Sequence, residues 1–255
     1  MALCVCRTSN CVRRPRHRNF GFTLIEMLLV VAILSLLISI LLPTMKHGLN
    51  RTSASKCESN IRTLLIAYQN YAKENGRKLV GSNTSNAHDW LRSSSNTATS
   101  ITDGMLWPYV RAMDVYVCPN QIYPTYLNSY SINGRLNGEQ VASGSSSGTT
   151  TYKRHWTANI RDAEQMVFIE EDDGRGWNIN SFMLGTAQGT YVDWVAANHF
   201  SGDNLGFLDG HVEYWEWQTA HLRKRDKPNP PAPSDPGSVD WDRLNPVFRA
   251  WPVNF

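Results

Sequence analysis

The chain has 255 residues, 42% of them hydrophobic and 18% charged, enough for one domain of moderate size plus elements outside it. Its formal charge of +3 is misleading, because Arg7, Arg13, Arg14, Arg16 and Arg18 stand in the first 21 residues with no acid among them. The remainder has 20 basic and 22 acidic residues, a charge of about −2, so a dominant basic face is excluded and no nucleic-acid partner is expected.

Residues 1–21 form a basic leader, and residues 22–42 an apolar segment. From Phe22 to Leu42 that run has one charge, Glu26, and three hydroxyls, Thr23, Ser35 and Ser39. At about 1.5 Å per helical residue it reaches roughly 30 Å, the thickness of a bilayer's hydrocarbon core. The arginines keep the N-terminus in the cytoplasm and send the C-terminal bulk outside. An ordinary secretory signal peptide fits poorly, because the apolar run is too long and no Ala-x-Ala-like site precedes Pro43. A carboxylate deep in such a helix costs about 2.5–3.5 kcal/mol on insertion scales, which marks Glu26 as functional.

Gly21-Phe22-Thr23-Leu24-Ile25-Glu26 resembles the processing site of type IV pilins and type II secretion pseudopilins, and the likeness covers about the first 55 residues. It implies that prepilin peptidase cuts between Gly21 and Phe22 and that Phe22, the new N-terminus, is N-methylated. It gives Glu26 and Pro43 roles in assembly with other pilin-like subunits. The protein would then be a structural subunit of a type IV pilus or a type II secretion-like filament. It would be held in the inner membrane by a single pass and would not be an enzyme. The implied fold is α+β, a long N-terminal helix packed on an antiparallel sheet. Physical chemistry supports the role of Glu26: in a dry helical bundle, a neighbour's cationic amino terminus offsets most of the penalty of burying a carboxylate.

Residues 43–76 read as an amphipathic helix continuing the first, with a kink or local melting expected at Pro43, which removes a backbone donor. Ala54, Cys57, Ile61, Leu64, Leu65, Tyr68, Tyr71 and Ala72 recur at three- and four-residue spacing as one apolar stripe. Asn75-Gly76 is the expected stop, giving a helix of about 54 residues and roughly 80 Å.

Residues 77–217 read as a globular domain. Residues 82–100 are loop anchored by Trp90-Leu91, and Asp103 to Val110 is a short helical turn. Val115 to Cys118 reads as a strand ended by Pro119, and Tyr130 to Asn133 as another. Residues 143–151 are a low-complexity loop. Met166 to Glu170 is the best central strand and runs into an acidic turn, Glu171-Asp172-Asp173-Gly174. Asn204 to Leu208 and His211 to Trp215 flank Asp209-Gly210, a strong hairpin signal. Alternation places Val212, Tyr214 and Phe207 on one side, with His211, Glu213 and Trp215 on the other. Residues 218–255 are a proline-rich linker and an aromatic tail to which no structure is assigned.

His199, nine intervening residues and then Asp209-Gly210 resemble the H-X9-DG motif of a group of pilin-like proteins of unassigned function. Leu106-Trp-Pro-Tyr-Val110, Val117-Cys118-Pro119 and Tyr130-Ser-Ile-Asn133 share that likeness. The plain reading is a tight turn at Asp209-Gly210 and a backbone hydrogen bond from His199. The alternative is calcium, held by Asp203, Asn204 and Asp209 or by Glu170, Glu171, Asp172 and Asp173, although the spacing excludes an EF-hand. Cys4, Cys6 and Cys11 fall in the leader. Cys57 and Cys118 either pair, closing a loop worth about 4 kcal/mol in the chain-entropy model, or stand as buried thiols. His199, Asp209 and His211 could be assembled into an acid–base pair or a zinc site, but no Gly-x-Ser-x-Gly or His-Glu-x-x-His accompanies them, and no catalytic residue is assigned. The nine tryptophans leave open a membrane-anchored binding module for polysaccharide or protein.

Overall fold

The computed structural model describes residues 22–82, 88–93, 95–136, 162–171, 181–185, 188–219, 222–223 and 237–248. The chain divides into two compact units, Met1–Lys46 and His47–Phe255. The longest element is α1, Leu24–Glu74. Its start is a reciprocal cap: Thr23 donates its backbone N–H and its hydroxyl to the Glu26 carboxylate (2.8 and 2.7 Å), and the Glu26 N–H donates back to the Thr23 hydroxyl (3.3 Å). Its end falls where Asn75-Gly76 places it, with Gly76 in the left-handed region (φ 64°) and Asn75 bonding back to the Tyr71 carbonyl (2.9 Å). The helix is unbroken through Pro43, in place of the local melting expected there.

In the first unit every described apolar side chain of α1 is exposed, and the helix is long and apolar enough to cross a membrane. In the second unit the five strands are β1 (Tyr130–Asn133), β2 (Met166–Glu170), β3 (Ser181–Phe182), β4 (Gly202–Phe207) and β5 (Val212–Glu216), in the order β3-β1-β2-β4-β5. The sheet is mixed rather than wholly antiparallel. Strands β1, β2, β4 and β5 pair antiparallel, while β3 joins β1 in parallel. The two-residue strand β3 covers the β1 edge through the pairs Ile132–Ser181 and Asn133–Phe182.

Two hydrophobic clusters form. The first contains the α1 stripe, Cys57, Ile61, Leu64, Leu65, Tyr68 and Ala72, against Tyr130, Ile132 and Phe168 of the sheet and Trp90 and Tyr116 from the connections. Gly206 allows the close approach: a Cβ there would come within 2.5 Å of Ile61 Cγ2 and 2.9 Å of Leu65 Cδ1. The second cluster joins Met166, Ile169, Leu205, Phe207 and Trp217 to Trp241, Leu244 and Phe248.

Three local expectations change. Val115–Cys118 is not a strand: residues Met113–Tyr116 make a 3-10 turn, because Asn60 of α1 donates to the carbonyls of Asp114 (3.3 Å) and Val117 (3.1 Å) and so occupies two backbone acceptors. Phe207 faces the second cluster, whereas Val212 packs on the first, so they do not share a side. The tail is partly ordered as α4, Val239–Phe248, whose aromatic face buries Trp241 and Phe248. The helical turn expected in 103–110 is α3, Trp107–Val110, preceded by α2, Ala98–Thr102. The leader, the 143–151 loop, Asp172 and Asp173 lie outside the described residues.

Candidate metal centre between the helix and the sheet

Alternation along β2 puts Phe168 and Glu170 on one face, toward α1. Phe168 fills the core against Tyr68 and Trp90. Glu170, two residues on, turns a carboxylate into the same interface, beside Cys57 at the N-terminal end of the α1 stripe. Both are fully buried, as are Cys118 and His199. The four side chains converge: one sulfur, nitrogen or carboxylate oxygen from each lies within 4.8 Å of the other three. His199 Nε2 is 3.3 Å from the Cys118 sulfur and 3.2 Å from Glu170 Oε2, and the Cys118 sulfur is 3.8 Å from Glu170 Oε2.

Three of the four members, Glu170, Cys118 and His199, are held from outside the cluster. Asn204 donates its side-chain amide to Glu170 Oε1 (2.8 Å) and to the Ala54 carbonyl of α1 (3.2 Å), tying strand, carboxylate and helix together. Ser129 accepts from the Cys118 N–H (3.0 Å). The His199 loop is shaped by buried Asp203, whose carboxylate accepts from the N–H groups of Ala197 (2.8 Å) and Asn198 (3.1 Å) and from the Trp217 indole (2.7 Å). Tyr214 donates to the His199 carbonyl (2.6 Å), and Phe200 stacks on His47 at 5.9 Å. Within this loop Ala197, Phe200 and Ser201 all have positive φ (52°, 49° and 67°), each costing about 1–2 kcal/mol for a residue with a Cβ. Such strain persists only where surrounding bonds over-determine it, and its effect here is to aim His199 inward.

Electrostatics follow from burial. Desolvation drives the Cys118 thiol far above its usual range, reinforced by its hydrogen bond with Cys57 and by the Glu170 charge. For His199, burial favours the neutral ring, but hydrogen bonds to Cys118 and Glu170 outweigh it and push the imidazole up to about 10. His199 Nδ1 is buried and has no hydrogen-bond partner among the described residues. Cys57 and Cys118, offered by the sequence as a pair or as buried thiols, are neighbours here as two free thiols.

Outside the cluster, Asp209 meets His211, whose Nδ1 lies 2.5 Å from its Oδ1 in a partly exposed contact, but Asp203, Asn204 and His199 do not join them. Asp203 is used by the loop, Asn204 by Glu170 and Ala54, and Asp209 by the N–H of His211 (3.1 Å) at the tip of the β4–β5 hairpin. Gly210 takes φ 102° in that turn. His199 precedes β4 and Asp209 follows it, so six strand residues, about 20 Å, separate the two ends of the motif. No acid–base pair forms between them. Trp90, Trp194, Trp217 and Trp241 are core residues, and Trp156, Trp177 and Trp251 lie outside the described residues. Sequence reading missed the inward role of Glu170, which the i, i+2 relation to Phe168 signals, and the cap at Thr23-x-x-Glu26.

Comparisons with known proteins bear on the N-terminal segment. Residues 16–42 match the family model described as the prokaryotic N-terminal methylation motif. Over 66 residues the chain is 36% identical to the type IV major pilin protein PilA of Myxococcus xanthus (strain DK1622), covering 26% of this chain and 30% of that protein. Over 66 residues it is 30% identical to the competence protein ComGC of Halalkalibacterium halodurans, covering 26% of this chain and 65% of that protein. The match spans less than two thirds of either relative. No solved structure matches the chain. The chain thus carries a prokaryotic N-terminal methylation motif over residues 16–42, which include the first part of α1, and over 66 residues it is similar to a type IV pilin and to ComGC.

Proposed function

We propose that the protein is a pilin-like structural subunit, anchored in the membrane by α1 before assembly and packed against other copies through the same helix afterwards. The observation that carries this reading is the uncovered apolar surface from Phe22 to Leu42, which lies within the stretch that matches the methylation motif. Such a surface needs either lipid or neighbouring helices. Prepilin peptidase would cut between Gly21 and Phe22 and methylate Phe22, and the basic leader would hold the N-terminus in the cytoplasm with the sheet domain outside.

Glu26 caps its own helix through Thr23, yet a carboxylate has capacity for further donors. In the filament it receives the amino terminus of a neighbour and sets the register between subunits. Glu26→Leu tests this in the native host. The variant is expected to be inserted and cut but not incorporated, read by shearing filaments from the surface or isolating the secretion complex. Incorporation at the wild-type level would overturn the assembly role.

A further inference from the structure

We infer that Cys57, Cys118, Glu170 and His199 form a binding site for one zinc ion, which clamps α1 to the sheet. The inference is independent of the filament role, since all four residues belong to the sheet-bearing unit.

The argument starts from spacing. A tetrahedral zinc has bonds of about 2.0–2.3 Å to nitrogen, oxygen and sulfur, so its ligand atoms stand about 3.3–3.8 Å apart. The three separations 3.3, 3.2 and 3.8 Å among Cys118, His199 and Glu170 lie in or within 0.1 Å of that range, and Cys57 supplies a fourth donor within 4.8 Å. The donors come from four places in the chain: the middle of α1, the loop after the 3-10 turn, the end of β2 and the strained loop before β4. Local sequence therefore does not account for their meeting.

The donor set selects the ion. Two sulfurs and an imidazole are too soft for calcium or magnesium, which take oxygen shells, whereas two thiolates, one imidazole and one carboxylate suit zinc. The net charge is −1 with zinc in place, against three negative charges crowded in a dry interface if the same ionised ligands had no ion. All four ligands are fully buried and leave no position open, which makes the site structural. Binding exchanges protons for metal: the two thiols and the His199–Glu170 pair release theirs to solvent as zinc bonds form to both sulfurs, Nε2 and a carboxylate oxygen. The Asn204 bond to Glu170 Oε1 leaves Oε2 for the ion. The rest of the loop machinery, Asp203 and the three left-handed residues, then has a purpose, which is to present Nε2.

The test uses the full chain in mild detergent, with a tag that contains no histidine, purified without reductant or chelator. Elemental mass spectrometry is expected to find one zinc per chain, and Cys57→Ser combined with Cys118→Ser to abolish it. Should that variant fail to fold, the wild type decides alone. After zinc is stripped with chelator, cobalt(II) is expected to bind one per chain with sulfur-to-cobalt charge-transfer absorption and tetrahedral visible bands. Either of two results overturns the site. One is a chain two mass units light, with Cys57 disulfide-bonded to Cys118 and no metal. The other is free thiols with neither zinc in the isolated protein nor a cobalt–thiolate spectrum on titration.

Discussion

His199 Nε2 lies 3.2 Å from Glu170 Oε2 in a fully buried interface, and that contact joins the loop before β4 to the end of β2. Two ionisable groups in such a place are tolerated only when paired, hydrogen-bonded or bound to a metal. Here the pair is backed by Asn204 on the carboxylate side and by Asp203 on the loop side. The histidine of the H-X9-DG motif therefore reports on helix–sheet packing, while its Asp-Gly end makes the hairpin turn.

Asp203 is the keystone of the loop. Replacing it with alanine leaves the buried N–H groups of Ala197 and Asn198 and the Trp217 indole without their acceptor. Asp203→Ala is expected to lower unfolding free energy by about 2–4 kcal/mol, since each stranded buried donor costs about 1–3 kcal/mol before relaxation. Urea denaturation of the full chain in detergent measures it, and a loss below about 0.5 kcal/mol, the range of neutral surface changes, would contradict the assignment.

Gly206 sets how closely α1 approaches the sheet. Gly206→Val pushes a branched side chain into Ile61 and Leu65 and is expected to destabilise the domain by about 1–3 kcal/mol. Thermal unfolding followed by circular dichroism reads the change. A melting temperature equal to wild type would mean that the helix does not pack there.

Docking of α4 rests on its aromatic and aliphatic face. Leu244→Ala, at a fully buried position in the second cluster, is expected to cost about 2–4 kcal/mol by loss of contacts and a residual cavity. If chemical denaturation finds no change, α4 does not form part of the folded core.

Much of this was legible in the sequence. The α1 stripe, its stop at Asn75-Gly76, the strands at 130–133 and 166–170 and the Asp209-Gly210 hairpin follow from periodicity and turn chemistry, which are local. What was not legible depends on contacts distant in sequence. Residues 115–118 have strand-like composition, but Asn60, more than fifty residues away, takes their carbonyls. Phe207 and Val212 face opposite sides because Val212 pairs with Gly206, so Phe207, one residue further along β4, points the other way. Glu170 looks like the first of four surface acids until the β2 alternation is set against α1. The meeting of Cys57, Cys118, Glu170 and His199 has no local signal.

Alkaline pH should unfold the domain in a defined way. Burial raises the phenols of Tyr68, Tyr116 and Tyr130 above their usual value, with the neighbouring Tyr71 adding to Tyr68 and Cys57 and Glu170 to Tyr130. The unfolded chain ionises near pH 10, so their contribution to stability is fully present below that pH and falls above it, by about 1.4 kcal/mol per pH unit for each group. Phenolate absorbance of the buried tyrosines should appear together with loss of circular dichroism. Ionisation of all tyrosines near pH 10 with the fold intact would contradict the burial.

The central claim is that the chain matures as a pilin-like subunit, and mass spectrometry of its N-terminus in the native host tests that most directly. The account predicts a chain that begins at Phe22, with the mass of one added methyl group on that residue. A mature protein that retains residues 1–21, or one cut at a site downstream of the apolar helix, would contradict it.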